Sequence, residues 1–219
     1  FRVACEAAGG LVKRALRLTT NLVIAWIAGM LGILTWALPS NARAQAQIQE
    51  IAEQGQWAFA PGRIELGALI GGGFSIAKQE ATEFSLFPRI GYVSARQEHF
   101  LPGSFEIVGE PFYLTIFQDQ TVHVGGLTGL IKYNFRTGTR WTPYFEGGGG
   151  VSFASHRVPH GGTNFNFVTE GGLGLQYAIT PRSLIGAEWR FQHFSNADIS
   201  PPNPSLNMSL FLLGLSVLY

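Results

Sequence analysis

One short stretch of the chain has residue types and spacing suited to nucleophilic chemistry: His193-Phe194-Ser195, then Asn196, Asp198 and Asn203, and Asn207 on the run that follows. A serine hydroxyl attacks a carbonyl when an imidazole takes its proton, and the imidazole works best when a third group holds its other nitrogen. Residues i and i+2 of a strand share a face and stand about 6–7 Å apart at Cα, so His193 can reach Ser195. Asn207 can accept the remaining imidazole proton. Asn196, Asn203 or backbone N–H groups around Asp198 can stabilise the oxyanion of an attacked ester. His-x-Ser alone also arises by chance, and a His and a Ser at a membrane rim can equally hydrogen-bond lipid headgroups.

The elements around this stretch decide whether these groups meet. From Leu184 to Ser195 one row of alternate residues is Ile185, Ala187, Trp189, Phe191, His193 and Ser195; the other is Leu184, Gly186, Glu188, Arg190 and Gln192. Successive side chains of a strand point to opposite faces, so this run predicts a strand with one apolar and one charged side. His193 and Ser195 continue its apolar row. The stretch 196–205, rich in Pro, Ser and Asn, predicts a loop. Leu206 to Tyr219 returns as a strand with Asn207, Ser209, Phe211, Leu213, Leu215, Val217 and Tyr219 on one parity, and pairing the two as a hairpin sets Asn207 beside His193.

The same alternation recurs upstream, in segments at about 62–73, 83–96, 104–117, 121–136, 141–154 and 164–179 separated by turn residues. With the last two strands this makes eight. The fold expected is all-β, an eight-stranded antiparallel transmembrane β-barrel, whose small interior is filled by side chains and so disfavours a pore. Ile64, Leu66, Phe84, Ile90, Phe105, Ile107, Leu127, Ile131, Phe145, Phe153, Leu173 and Leu175 fall on outward parities. Arg89, Lys132, Arg190, Glu146, Glu170 and Glu188 fall inward, where they must pair. The Gly147–Gly150 run predicts a place where strands bend or inner side chains need room. Trp141 and the tyrosines read as anchors at the membrane interface.

Composition agrees with lipid contact: 13% of residues are charged, against 28 Gly and 17 Phe. Residues 1–44 hold five Lys/Arg and one Glu; 45–219 hold ten basic and thirteen acidic residues, a balance of −3 that excludes a nucleic-acid-binding body. Cys5 is the single cysteine, so the body has no disulfide framework. His99, His123, His156 and His160 lack metal-ligand spacing, and His156 and His160 read as solvated loop residues beside Pro159 and Gly161. No metal and no cofactor are expected.

Arg2, Lys13, Arg14 and Arg17 precede an apolar run from Leu22 to Leu38, and Ala42-Arg43-Ala44 follows. A basic region, an apolar core and a small-x-small site predict a secretory signal peptide over 1–44, in preference to a retained anchor at the lower length limit for spanning. Residues 45–57 read as a flexible mature start and 58–219 as the barrel. Barrels of this kind keep their ends and short turns in the periplasm and their longer loops outside, so 196–205 is expected at the extracellular rim, with His193, Ser195 and Asn207 facing lipid. Tyr219, an aromatic ending an alternating apolar strand, resembles the signature used in outer-membrane assembly.

His193-Phe-Ser195-Asn196-Ala, then Pro202-Asn203-Pro204, on the last hairpin of an eight-stranded barrel, resembles the lipid A 3-O-deacylase family of PagL type, also called acyloxyacyl hydrolases. The likeness is most specific over 188–219. It implies an outer-membrane serine esterase, acting without cofactor, that removes the ester-linked 3-position acyl chain of lipid A in the outer leaflet. Ser195 would be nucleophile and His193 general base, with Asn203 and the loop near Asn196 and Asp198 in the oxyanion hole. Lipopolysaccharide is the implied partner, and a second copy of the chain is a candidate one. This sequence departs from the family twice: Asn207 stands where its best-known member has a glutamate, and Asp198 where a glycine is usual. The rival reading is a non-catalytic small barrel, structural or adhesive.

Overall fold

The computed structural model describes residues 58–76 and 80–219; the expected signal peptide and the stretch 45–57 lie outside the described residues. Eight strands form, β1 Ile64–Ser75, β2 Thr82–Gln97, β3 Gly103–Phe117, β4 Thr121–Phe135, β5 Trp141–Val158, β6 Thr163–Ala178, β7 Ser183–Ser195 and β8 Leu206–Leu218. Each pairs antiparallel with its neighbours in sequence, and β1 pairs with β8 to close the barrel. Closure satisfies every strand edge, which lipid requires because it offers no hydrogen bonds of its own.

Residue character is inverted relative to a water-soluble domain. Ile90, Ile107, Leu127, Ile131, Leu173 and Leu213 are exposed on the outer wall. Lys132, Arg190, Glu106 and Glu110 are wholly buried inside. The period-two pattern sets this, because each alternating strand presents its apolar row to lipid and its polar row to the lumen.

The interior is filled in layers. Phe87, Phe112, Leu114, Ile116, Val122, Phe194, Leu206, Met208 and Leu210 form an apolar plug in the half of the barrel next to the connections after β3 and β7. A charged middle layer follows. Arg190 bridges Glu188 (2.6 Å), Glu110 (2.7 Å), Glu146 (2.7 Å) and Glu170 (3.3 Å). Arg89 meets Glu146 at 2.6 Å and Glu110 at 3.2 Å. Lys132 pairs with Glu65 (2.7 Å) and Glu106 (3.2 Å), both upstream of the glutamates that parity singled out as its company. Neutral donors take up further carboxylate oxygens: Tyr144 to Glu188, Asn134 to Glu106, Gln176 to Glu65 and Gln192 to Glu170. At the far end Phe59 is fully buried, its carbonyl accepting from Ser104 and its ring lying under Lys132.

The Gly147–Gly150 run reflects close backbone approach. A Cβ at Gly150 would stand 1.9 Å from the Leu127 carbonyl oxygen of β4, and one at Gly148 would stand 2.1 Å from that of Gly129. Room for an inner side chain is the reason at Gly174, where a Cβ would lie 2.1 Å from the Tyr144 ring.

Two elements differ from expectation. β5 runs on to Val158, although its pairing with β6 is interrupted between Phe153 and Val158. His156 therefore sits in a strand rather than a loop. β1, Ile64–Ser75, begins and ends two residues later than the expected 62–73, whereas His123 lies in β4 within the strand expected there, half-buried and bound to the Tyr113 hydroxyl at 2.9 Å.

Candidate active site

β7 and β8 bring the candidate residues together at one rim. The register places His193 opposite Asn207, Phe191 opposite Ser209 and Trp189 opposite Phe211. On the other side of β7, Ser195 faces Phe167 and His193 faces Thr169. His193, Ser195 and Asn207 continue the outward rows while Phe194, Leu206 and Met208 are buried in the lumen. The row thus meets the lipid side of the wall, as the alternation predicted.

The central contact is His193 Nδ1 to Asn207 Oδ1, at 2.6 Å. An amide oxygen can only accept, so Nδ1 carries a proton, and in the neutral ring Nε2 is then the nitrogen with the lone pair. That is the tautomer a serine's general base requires. Ser195 is half-buried two residues further along the same face, and its hydroxyl forms no hydrogen bond among the described residues. Contacts of this kind commonly tighten only when substrate arrives.

The loop that follows is folded around Asn196. This side chain is buried; its amide donates to the Ser200 carbonyl at 2.7 Å, and its oxygen accepts from the Asp198 N–H at 3.0 Å. The Asn196 N–H in turn donates to Asn203 Oδ1 at 2.9 Å. Asn196 therefore shapes the loop instead of pointing a free donor at a substrate. Among the described residues, the Asn203 amide nitrogen and the Ala197 N–H have no hydrogen-bond acceptor. Ala197 and Asp198 both adopt the left-handed region, at φ 52° and 61°. A glycine would enter that region without cost, and Asp tolerates it better than most residues. The Asp198 carboxylate is exposed and forms no ion pair with His193. The loop does not fold back to supply the charge that Asn207 lacks.

Two neighbours escaped the sequence reading. The Trp189 indole donates to Ser209 Oγ at 2.9 Å in the same outward rows, a contact the parity of Ser209 could have suggested. A shallow groove of about 680 Å³ opens on the outer wall between Trp189, Leu173, Leu175, Ile70, Phe211 and Leu213, its floor at the small Ala187. Among the described residues no cluster of His, Cys, Asp and Glu is arranged to hold a metal ion.

A closed eight-stranded barrel with an apolar outer wall and a charged core is an outer-membrane β-barrel, here with His193, Ser195 and Asn207 in the outward rows of its last hairpin. The profile of the lipid A 3-O-deacylase (PagL) family matches residues 91–216, and the chain belongs to that family. It is 37% identical over 92 residues to the lipid A deacylase PagL of Bordetella bronchiseptica, an alignment covering 39% of this chain and 47% of that protein. The chain thus spans about half the length of the curated relative it matches. Among solved structures, the outer membrane enzyme PagL superposes with a TM-score of 0.52 at 19% identity, over 68% of this chain and 97% of that one. Neisserial surface protein A gives a TM-score of 0.49 at 17% identity, over 71% and 95%. The likeness to the solved PagL agrees with the closed barrel and bears on the fold alone.

Proposed function

We propose that the chain is an outer-membrane serine esterase that removes the ester-linked 3-position acyl chain of lipid A, with Ser195 as nucleophile, His193 as general base and Asn207 as the group that holds the imidazole. The observation that carries this reading is the 2.6 Å His193–Asn207 contact, which fixes the basic nitrogen of His193 on the face that Ser195 shares. Family membership supplies the substrate class. A relative that is itself a lipid A deacylase supports it.

In this reading Ser195 Oγ attacks the ester carbonyl as its proton passes to His193 Nε2. The imidazolium, held through Nδ1–H by Asn207, then gives that proton to the departing 3-oxygen of the sugar. The Ser195 acyl ester is hydrolysed by a water that His193 deprotonates in turn, and the fatty acid leaves. The Asn203 amide and the Ala197 N–H face the oxyanion. The acyl chain runs down the apolar row past Phe191 towards the groove at Ala187, and lipid excludes water from one side of the site. The site rim lies in the outer leaflet, since the ten-residue loop 196–205 is the longest connection and long loops face outward in this class. A second copy of the chain is a partner consistent with the exposed outer wall.

The test is the mass of lipid A from a Gram-negative host expressing the chain or its Ser195→Ala variant. Loss of one hydroxyacyl chain with the wild type alone supports the esterase. Identical spectra, with both proteins folded in the outer membrane, replace it with the non-catalytic barrel.

A further inference from the structure

The rim opposite the site carries a charge pattern that deacylation does not use. It is built by the connections 98–102, 136–140 and 179–182 and by the approach to β1. Among the described residues, Arg63, Arg136, Arg140 and Arg182 lie on these segments and Arg96 at the end of β2 beside them, against Glu98 as the single acidic side chain of the three connections. Arg96 and Arg136 share Glu98, at 2.5 and 3.6 Å. Among the described residues, Arg63, Arg140 and Arg182 have no ion-pair partner. Partial burial and the Arg182 charge beside it hold the Arg63 guanidinium below its ordinary pKa. Among the described residues the opposite rim has the reverse balance: Glu80, Asp119 and Asp198 lie there with Arg157.

The arginines stand on fixed backbone. The Arg63 carbonyl accepts from Val93 N–H at 2.9 Å, that of Arg140 from Ala178 N–H at 2.9 Å and that of Arg182 from Leu218 N–H at 2.7 Å; the Arg136 N–H donates to Pro102 at 2.8 Å. Just above them on the outer wall is an aromatic collar. Tyr133 packs on Phe105 and Phe145 at 4.8 and 5.7 Å between centroids, and Trp141 on Tyr177 at 4.7 Å. Aromatic girdles of this kind mark the level of the headgroups.

We propose that this rim docks on the headgroups of anionic phospholipids, glycerol phosphodiesters such as phosphatidylglycerol, in the leaflet facing away from the site. Guanidinium groups bind phosphate oxygens in a two-pronged fashion that zwitterionic headgroups, with their own ammonium, satisfy less well. A ring of charges spread over these segments does not converge on a compact ligand, but it matches a continuous layer of phosphodiesters at the depth the collar sets. Which leaflet is met rests on the orientation proposed above; the lipid class rests on the charges alone.

The test is native mass spectrometry of the folded full chain released from micelles containing equal amounts of phosphatidylglycerol and phosphatidylcholine. Each basic residue near a membrane surface enriches anionic lipid about fivefold. Wild type is therefore expected to retain phosphatidylglycerol at least ~10-fold over phosphatidylcholine. Arg63→Gln/Arg140→Gln/Arg182→Gln should bring the ratio to within about twofold of unity, while the corresponding triple Lys variant keeps most of it. Folding is checked by heat-modifiable gel mobility. If the triple Gln variant fails to fold, Arg182→Gln alone and a salt titration of wild type serve, since the preference must fall with ionic strength. Equal retention of the two lipids, an unchanged ratio in the Gln variants, or displacement of the lipid by inorganic phosphate alone would overturn the proposal. Lipid retention is read independently of deacylation, so failure of either reading leaves the other standing.

Discussion

Asn207 offers the sharpest test of how the site works, because Asn207→Asp changes charge while keeping length and shape. The Nδ1–Oδ1 separation of 2.6 Å is then available to a carboxylate oxygen. The charge centres of an imidazolium and that carboxylate would be about 4 Å apart, an attraction of ~4 kcal/mol at an effective dielectric constant of 20. His193 and Asn207 are half-buried at a rim, so screening discounts this by roughly half, to ~2 kcal/mol. The amide dipole already provides part of it. Asn207→Asp is accordingly expected to raise kcat between about 10- and 30-fold.

The ~10⁴-fold loss seen when a serine protease's acid becomes Asn is a poor guide to the reverse change here. There the wrong tautomer dominates. Here the amide already presents its oxygen, and the correct tautomer is in place. Asn207→Leu, which removes the acceptor, should lower kcat by about 10²-fold, at the lower end of what a positioned base contributes. The assay is acyl release from purified lipid A in mixed micelles, with single-turnover traces to isolate the chemical step. An Asn207→Asp enzyme within threefold of wild type, or an Asn207→Leu enzyme at wild-type rate, would refute the claim that His193 works through Asn207.

Other substitutions probe the frame. Arg190→Met leaves Glu110, Glu146, Glu170 and Glu188 with only Arg89 among them, and should destabilise the barrel by about 3–5 kcal/mol, read as a lower urea midpoint; adding Glu170→Gln should restore part of the loss. Asp198→Gly removes an exposed carboxylate and suits φ 61°, so deacylation should stay within about twofold of wild type. A tenfold fall in Asp198→Gly would show instead that this carboxylate reaches the reaction.

Much of the architecture is legible because a barrel in lipid has a simple grammar. The end points of β3, β4, β6, β7 and β8 fall within a residue or so of where alternation and turn residues place them, and the outward rows are those expected. β1 lies two residues later than expected at both ends, and β5 runs four residues past its expected end: Ala154 to Val158 has no clear apolar alternation, and its strand form comes from the barrel wall continuing past the paired region. The interior partners were only half legible. Parity says that Arg89, Lys132 and Arg190 point inward, but which carboxylate each meets depends on stagger between strands remote in sequence, so Glu65 and Glu110 could not be assigned. In the site, pairing set His193 against Asn207 from sequence alone. The loop could not be read that way. Asn196 is consumed by Ser200, Asp198 and Asn203 through backbone geometry, with two left-handed residues, that composition does not reveal.

The remaining question is what holds His193 opposite Asn207 with the precision that catalysis needs. A one-residue slip of β7 would turn Phe194 outward and His193 into the lumen, and it would carry Arg190 out of its nest of four glutamates, so charge forbids it. Buried ion pairs contribute little net stability, yet fixing register is their best-attested use. β8 has no charged residue between Leu206 and Leu218, and a two-residue slip would preserve its apolar and luminal faces. Hydrophobic patterning alone therefore leaves its register against β7 loosely specified. The polar contacts that distinguish the observed register are Trp189 to Ser209 and His193 to Asn207, which a slip would separate. The pair that orients the base also helps to set the strand that carries it, so the site and the register of the last hairpin specify each other.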